Sequence, residues 1–171
     1  MEINNEKQWI ALYTKPRAEW RVYADLELHG IACFLPYREV TRKWSDRKKK
    51  IKIPLISSYV FVNITPNEYY RVYESAAVVK ILTFNRRVAI VSPKEIELLR
   101  YASGDTKVTV EDGIALHSGE TVEISEGVFA GYCGTIIERR GEARVALQIN
   151  ELGISLIVTV PKVFVKLRKA V

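Results

Sequence analysis

Lys52-Ile-Pro-Leu-Ile-Ser-Ser-Tyr-Val-Phe-Val-Asn-Ile64 is the stretch that decides the fold of this chain of 171 residues. Aromatic and β-branched residues dominate its second half, which predicts a β-strand. Because side chains alternate across a strand, Val60, Val62 and Ile64 share one face, and such an aliphatic row fits a core covered by a helix. The other face carries Tyr59, Phe61 and Asn63. These side chains fit an apolar face left partly open for a partner, and they fit equally a strand buried on both sides.

Composition is typical of a soluble globular protein. Hydrophobic residues make up 48% of the chain and charged residues 27%, no apolar run is long enough to cross a membrane, and residues 1–7 lack a signal-peptide pattern. We therefore expect an unexported, cytoplasmic protein without membrane contact. Cys33 and Cys133 lie far apart among apolar or small residues, which predicts two reduced, packed thiols.

Residues typical of catalytic or metal sites are sparse. The chain has two histidines, His29 and His117, and neither forms a metal-ligand spacing with the cysteines. We find no Ser-His-Asp or Cys-His arrangement and no phosphate-binding glycine loop. The sequence therefore predicts a protein that has no cofactor and is not an enzyme.

Positive charge is concentrated in one segment. Arg38 to Lys52 carries eight basic residues against Glu39 and Asp46, an excess equal to the net charge of +6 of the whole chain. Such a segment fits a polyanionic partner such as nucleic acid, although a solvated loop would look the same. The candidate nucleic-acid-binding residues here are Arg42, Lys43, Trp44, Arg47, Lys48, Lys49 and Lys50. Trp44 is included because an aromatic ring can stack on a base or brace the loop.

The segment lies in a predicted hairpin. Ile31 to Trp44 reads as an outgoing strand and Lys52 to Ile64 as the returning one, with a charged tip at Ser45 to Lys50. Before it, Trp9 to Thr14 predicts a strand, and Lys15-Pro16-Arg17 opens a helix that ends at Gly30. The buried stripe of that helix is Ala18, Val22 and Leu26. Its cations Lys15, Arg17 and Arg21 fit phosphate contacts and ordinary surface charges equally well.

Two capping-box patterns, Thr65 to Glu68 and Ser92 to Glu95, predict two further helices, separated by a strand at Val78 to Thr83. The resulting order, β-α-β-β-α-β-α, predicts an α+β sandwich over residues 1–103. Residues 104–118 are mostly polar and read as a linker with a brief strand at Lys107 to Val110. Residues 119–171 read as five short strands that curl into a small barrel.

The segment Gly119 to Gly134 resembles the KOW motif, in which an alternating strand leads into a turn and a glycine heads the next strand. The matching residues are Val122, Ile124, Gly127, Phe129, Gly131 and Gly134. The glycines suit a sharp turn and a close approach between strands. Phe129 would be a loop aromatic, either available to a partner, which we favour, or folded over the barrel end.

A KOW barrel after a domain of this order resembles the NusG family of transcription elongation factors, and the resemblance covers nearly the whole chain. Trp9 to Lys15 resembles the opening strand of the NusG N-terminal domain, and Tyr59-Val60-Phe61-Val62 resembles its Tyr-(Val/Leu)-x-Val strand. The implied fold is an NGN-like α+β domain followed by a five-stranded, SH3-like KOW β-barrel. Arg87 to Val91 is similar to RfaH-like and UpxY-like members, which act on selected operons, often for surface polysaccharide.

The resemblance implies a transcription antitermination factor that binds the clamp helices of RNA polymerase and suppresses pausing and termination. The implied polymerase-binding residues are Tyr13, Tyr59, Phe61, Tyr70 and Tyr73. It further implies contact with non-template DNA or nascent RNA, with Lys15 and Arg21 matching positions that face the DNA strand in RfaH. Ribosomal protein S10 or Rho is the implied partner of the KOW barrel. A KOW-type RNA-binding module of the ribosome or its assembly is the alternative.

Overall fold

The structure, a computed structural model, describes residues 5–43, 47–104, 108–112, 119–138 and 142–168. The chain divides into two compact units, Met1–Glu97 and Leu98–Val171, and the division falls within a helix. Each unit is described by itself.

The first unit begins with a sheet, a helix and a separate hairpin. Its elements up to residue 64 are β1 (Gln8–Thr14), α1 (Glu19–Leu28), β2 (Ala32–Phe34), β3 (Tyr37–Lys43), β4 (Lys48–Pro54) and β5 (Tyr59–Ile64). A 3₁₀ helix (Pro66–Glu74) follows, and then come β6 (Val78–Ile81), β7 (Thr83–Phe84), β8 (Arg87–Val88), β9 (Ile90–Val91) and α2 (Pro93–Ala102).

The main sheet of this unit has five strands in the order β2-β5-β1-β6, and β9 also pairs with β1. All of these pairs are antiparallel. The register sets Tyr13 opposite Tyr59 and Ala11 opposite Phe61, so residues from neighbouring strands form rows across each face. Strands β3 and β4 form a two-stranded sheet of their own.

The aliphatic face of β5 is covered by a helix, as the alternation predicts. Val60, Val62 and Ile64 belong to one buried cluster together with Ile10 and Leu12 of β1. The cluster is completed mainly by Val22 and Leu26 of α1 and by Val72 of the 3₁₀ helix. The predicted stripe of α1 is therefore confirmed, with Ala18 packed at its margin.

Helix α1 begins later than predicted. Lys15 to Arg17 form a turn, and Arg17 has a φ of 61°, in the left-handed region that cannot continue a right-handed helix. Ala18 is the N-cap and Glu19 is the first helical residue. Proline at position 16 therefore shapes the turn before the helix rather than its first turn.

The strand predicted from Lys52 to Ile64 is interrupted. β4 ends at Pro54 and β5 begins at Tyr59, and Ser58 between them has a φ of 64°. The predicted outgoing strand is likewise divided into β2 and β3. The hairpin itself is present, but Lys48 to Lys50 lie in β4 rather than in the tip.

Both predicted capping boxes are present. The Glu68 carboxylate accepts hydrogen bonds from the Thr65 N–H and hydroxyl, each at 3.0 Å, but the helix that follows is a 3₁₀ helix. The Glu95 carboxylate accepts from the Ser92 N–H at 2.8 Å at the start of α2. These hydrogen bonds to the Glu68 carboxylate, led by that from the Thr65 N–H, lower its pKa.

The second unit is a six-stranded antiparallel sheet in the order β10-β14-β13-β12-β11-β15. Its strands are β10 (Thr109–Asp112), β11 (Thr121–Ile124), β12 (Cys133–Glu138), β13 (Ala143–Ile149), β14 (Ile154–Val160) and β15 (Val165–Leu167), with short 3₁₀ helices at Asn150–Leu152 and Lys162–Phe164. The sequence predicts strands at Thr121 to Ile124, Gly134 to Ile137, Ala143 to Ile149, Ile154 to Val160 and Val163 to Leu167. All five are found, together with the brief strand before them, and their ends differ from the prediction by at most two residues. No helix in the described part of the chain has the length and apolarity that a membrane span requires.

Candidate functional site

The second face of the main sheet carries most of its aromatic side chains. We call Trp9, Tyr13, Phe34, Tyr59 and Phe61 the aromatic row, because the strand registers place them all on this face. Trp9 and Phe34 meet edge to face with ring centroids 6.4 Å apart, and Phe34 and Phe61 lie 6.1 Å apart. Four of the five rings are partly exposed.

Phe61 is the exception, and the expectation that it faces a partner is wrong. Its side chain is 0% exposed. β5 runs between β1 and β2, so Phe61 has Ala11 beside it on one strand and Phe34 on the other. Phe61 therefore packs the interior and contributes to stability rather than to an exposed surface.

Tyr13 and Tyr59 remain partly exposed at one end of the row. They are directly opposite in the register, and their rings meet edge to face with centroids 5.8 Å apart. The ammonium group of Lys80, opposite Tyr13 on β6, lies 5.9 Å from the Tyr13 ring centroid. This end of the face thus presents two amphipathic rings and a cation.

A buried carboxylate fixes the backbone at this end of the sheet. Glu19, the first residue of α1, is 5% exposed, and its Oε1 accepts a hydrogen bond of 2.6 Å from the Ser58 N–H. The Ser58 carbonyl in turn accepts the Thr14 N–H at 2.9 Å. Because Ser58 is left-handed and directly precedes Tyr59, these bonds determine where β5 starts and how Tyr59 is presented.

The basic hairpin, β3 and β4, carries positive charge on both faces. The register pairs Arg42 with Lys49 and Lys43 with Lys48, so like charges lie directly opposite at two successive positions. Such pairs destabilise a hairpin. Glu39 is the only carboxylate on the described part of the hairpin, and it lies opposite Lys52. The described lysines and arginines near the tip are exposed, as a polyanion-binding surface requires.

Trp44 lies outside the described residues. Arg47 precedes β4 and is exposed. Lys15, Arg17 and Arg21 are exposed around the start of α1, at the same sheet end as Tyr13. Arg21 approaches Asp25 at 3.9 Å on the helix surface.

Tyr70 and Tyr73 lie on the 3₁₀ helix and are 72% and 52% exposed. The helix is tied to the end of α1 by Arg71, which donates to the Glu68 carboxylate at 3.0 Å and to the His29 carbonyl at 2.7 Å. The two tyrosines are therefore free for a contact while their helix is held in place.

The KOW-like residues lie in β11, in the turn that follows it, and at the start of β12. Val122 and Ile124 of β11 are buried, and Gly127 and Gly131 have φ values of 84° and 80°. A side chain at Gly134 would collide with the Ala146 carbonyl and would lie 2.8 Å from Leu147 Cδ2, so the close approach of strands explains this glycine.

Phe129 does not extend towards a partner. It is 3% exposed, which overturns the preferred expectation for this residue. A large ring in a short turn buries more apolar area by folding inwards than by standing in water.

Sequence reasoning did not single out Glu19, Trp20, Tyr37 or Lys80 as functional. Trp20 of α1 is 39% exposed and packs against Tyr37 of β3 with centroids 5.6 Å apart. The sequence could have indicated that Trp20 is exposed, because its position is about 160° around the helix from Val22 and so away from the core stripe. Glu19 and Lys80 depend on tertiary packing and register, which the local pattern does not encode.

Within the described residues, no group of three or more His, Cys, Asp or Glu side chains is arranged to hold a metal ion. Cys33 is half-buried, and burial raises the pKa of its thiol to about 12.

Comparisons with known proteins give one family model and several solved structures. The family model described as transcription termination factor nusG matches residues 7–100. The solved structure titled "Domain interaction in Thermotoga maritima NusG" is 22% identical, with a TM-score of 0.56 and coverage of 96% of this chain and 98% of the other. Two structures of the MjSpt4:Spt5 complex are 16% and 18% identical, with TM-scores of 0.31 and 0.32. They cover 95% of this chain in both cases, and 99% and 97% of theirs. Because the family model spans more than half of the sequence, the chain belongs to the NusG family of transcription factors.

Proposed function

We propose that this NusG-family protein binds the clamp helices of RNA polymerase through the Tyr13–Tyr59 end of the aromatic row and thereby suppresses pausing and termination. The observation that carries the proposal is the partly exposed, edge-to-face pair of tyrosines beside Lys80. Tyrosine is among the residues that most often dominate protein interfaces, because its ring is apolar and its hydroxyl can still form hydrogen bonds. The exposed Tyr70 and Tyr73 provide the second contact, on the opposite wall of the polymerase cleft.

Binding of this kind needs no chemistry. A factor that binds the closed clamp more tightly than the open one shifts the population towards the closed, processive state.

The basic hairpin supplies a nucleic-acid contact beside the polymerase contact. Its exposed cations fit a phosphate backbone, either non-template DNA or nascent RNA. Lys15, Arg17 and Arg21 extend the positive surface around the start of α1.

The resemblance of Arg87 to Val91 to RfaH-like and UpxY-like proteins supports action on selected operons, such as surface polysaccharide loci. The KOW-like unit recruits a second protein, for which ribosomal protein S10 and Rho are the candidates. Phe129 is not its anchor, because that ring is buried.

The test is the affinity of the full chain for RNA polymerase core enzyme. Tyr13→Ala and Tyr59→Ala should each weaken binding by about 30-fold, the equivalent of about 2 kcal/mol for an anchor residue. Leu28→Ala is the matched control, because Leu28 is an apolar side chain of the same unit that is 85% exposed on α1. It should bind like the wild type.

A single-round transcription assay gives the functional readout. The wild-type protein should shorten pauses and increase read-through of a terminator, and the two tyrosine variants should lose this effect. If Tyr13→Ala/Tyr59→Ala binds polymerase as tightly as Leu28→Ala does, the proposed surface is wrong. Co-purification with ribosomes in place of polymerase would favour an RNA-binding module of the ribosome.

A further inference from the structure

We propose that Trp20 and Tyr37 form a stacking platform for the bases of a single-stranded nucleic acid, whose phosphates follow the lysines on the adjoining face of the basic hairpin. The inference rests on the nucleic-acid contact in the proposed function and specifies which form of nucleic acid is bound and which rings bind it.

The position of Trp20 is the first argument. It lies on α1 far from the stripe formed by Val22 and Leu26, so it does not fill the core. Nevertheless it is held firmly, with its ring 6.1 Å from Tyr23 and 5.6 Å from Tyr37. A large ring that is 39% exposed yet fixed by two aromatic neighbours is pre-organised for stacking.

Tyr37 connects this ring to the basic hairpin. It is the first residue of β3, and the ammonium group of Lys52 lies 4.6 Å from its ring centroid. Lys52 therefore covers one face of Tyr37 and brings a cation to the platform, in which Tyr37 supports Trp20 and the more exposed Trp20 ring offers the face for a base.

A row of lysines continues from the platform towards the tip. Because side chains alternate along a strand, Tyr37 shares its face of β3 with Lys43, and with Glu39 opposite Lys52, and residues directly opposite on β4 share that face too. The lysines of β4 on the same face are Lys48, Lys50 and Lys52. The distance from Tyr37 to Lys43 is about 20 Å at the rise of a strand, long enough to follow several nucleotides.

This combination favours a single strand over a duplex. Rings next to a cationic track are the usual arrangement for binding unpaired bases, since every base has a face that can stack. The bases of a duplex are already stacked on each other, so a duplex would use the lysines and leave Trp20 unused. Dependence on the ring therefore separates the two ligands.

The experiment measures binding of the full chain, without polymerase, to labelled oligonucleotides of about 12 nucleotides: oligo-dU, oligo-rU and a mixed-sequence duplex. Trp20→Leu keeps an apolar side chain against Tyr37 but removes the flat face, and Trp20→Phe keeps a ring. Trp20→Leu should weaken single-strand binding by at least about fivefold, and Trp20→Phe should stay within about threefold of wild type. Duplex binding should be unchanged in both variants.

The more tightly bound of the two single strands identifies the sugar that the site prefers. Equal single-strand affinities of Trp20→Leu and Trp20→Phe would overturn the platform, as would equal losses for single strand and duplex. Lys48→Ala/Lys50→Ala is the control for the charged track and should weaken single strand and duplex alike, with a smaller salt dependence. Because polymerase is absent, these results are independent of the clamp contact, and a failed tyrosine experiment would leave them standing.

Discussion

Removal of the Glu19 carboxylate should destabilise the first unit far more than removal of the exposed Glu27 carboxylate on the same helix. Glu19 Oε1 accepts the Ser58 N–H at 2.6 Å, in a setting where Glu19 is 5% exposed. In Glu19→Ala the Ser58 N–H loses its acceptor. Ser58 is the left-handed residue that directly precedes β5.

The magnitude follows from the nature of the bond. A hydrogen bond to a charged group contributes about 1.5–3 kcal/mol. Because Ser58 is partly exposed, water compensates for part of the lost hydrogen-bond energy. The substitution also removes a favourable interaction of about 0.3–1 kcal/mol between the carboxylate and the N-terminus of the helix. We therefore expect Glu19→Ala to lower the free energy of unfolding by about 2–3 kcal/mol. Glu19→Gln, which retains an acceptor, should lower it by about 1 kcal/mol.

The assay is urea denaturation followed by tryptophan fluorescence. All three tryptophans, Trp9, Trp20 and Trp44, belong to the first unit, so their emission reports on that unit. Glu27→Ala is the matched control, because Glu27 is an exposed carboxylate of the same helix that accepts a hydrogen bond from the Tyr23 hydroxyl at 2.6 Å. It should change the free energy of unfolding by less than about 0.5 kcal/mol.

Equal stabilities of Glu19→Ala and Glu27→Ala would refute this reasoning. A loss in Glu19→Gln as large as in Glu19→Ala would show that the charge, rather than the acceptor, holds the turn. Since Ser58 directly precedes Tyr59, Glu19→Ala should also weaken polymerase binding if the tyrosine pair is the contact.

Three further predictions concern burial and protonation. Phe61→Ala should lower the free energy of unfolding by about 3–5 kcal/mol in the same assay, because a fully buried ring leaves a cavity, and a loss below about 1 kcal/mol would contradict its burial. In a Cys133→Ser background, the remaining Cys33 thiol should react with a disulfide reagent at pH 8 on the order of 50-fold more slowly than a thiol of pKa 9, because burial raises its pKa to about 12, and the smaller thiolate fraction outweighs the greater nucleophilicity of a more basic thiolate. Reaction at the ordinary rate would show that the thiol is not buried. The lowered pKa of Glu68 implies a stabilisation that is complete above its ordinary pKa of 4.5 and is lost as the pH falls through the folded-state value, so Glu68→Gln should flatten the acid limb of a stability–pH curve. If the acid limb of the curve is unchanged in Glu68→Gln, protonation of Glu68 does not cause the loss of stability at low pH.

Much of the fold follows from local patterns in the sequence. β13 and β14 coincide with their predicted spans, since Gly141 lies shortly before β13, Gly153 lies between the two strands, and Pro161 follows β14. The capping boxes mark the starts of the 3₁₀ helix and of α2, although the pattern does not distinguish a 3₁₀ from an α-helix, because both need the same first-turn bonds.

The errors arise where tertiary contacts decide. Alternation assigns Phe61 to the correct face but says nothing about how well that face is covered. The left-handed Arg17 and Ser58 break a predicted helix start and a predicted strand, and both conformations are supported by bonds to distant residues or to the turn around them. The platform of Trp20 and Tyr37 joins residues from two elements, so neither segment alone indicates it.

The facing cations of the basic hairpin, Arg42 with Lys49 and Lys43 with Lys48, have a consequence for the timing of assembly. Because these facing cations repel each other, the basic hairpin should be least rigid without a ligand. Bound phosphates would reduce the repulsion and make the hairpin more rigid. Added salt would then have two opposing effects. It would screen the repulsion between the facing cations, and it would lower the affinity for nucleic acid. If the hairpin binds nucleic acid as proposed, it would therefore gain its final shape on the nascent RNA or the non-template DNA itself, and its release and its loosening would be one event.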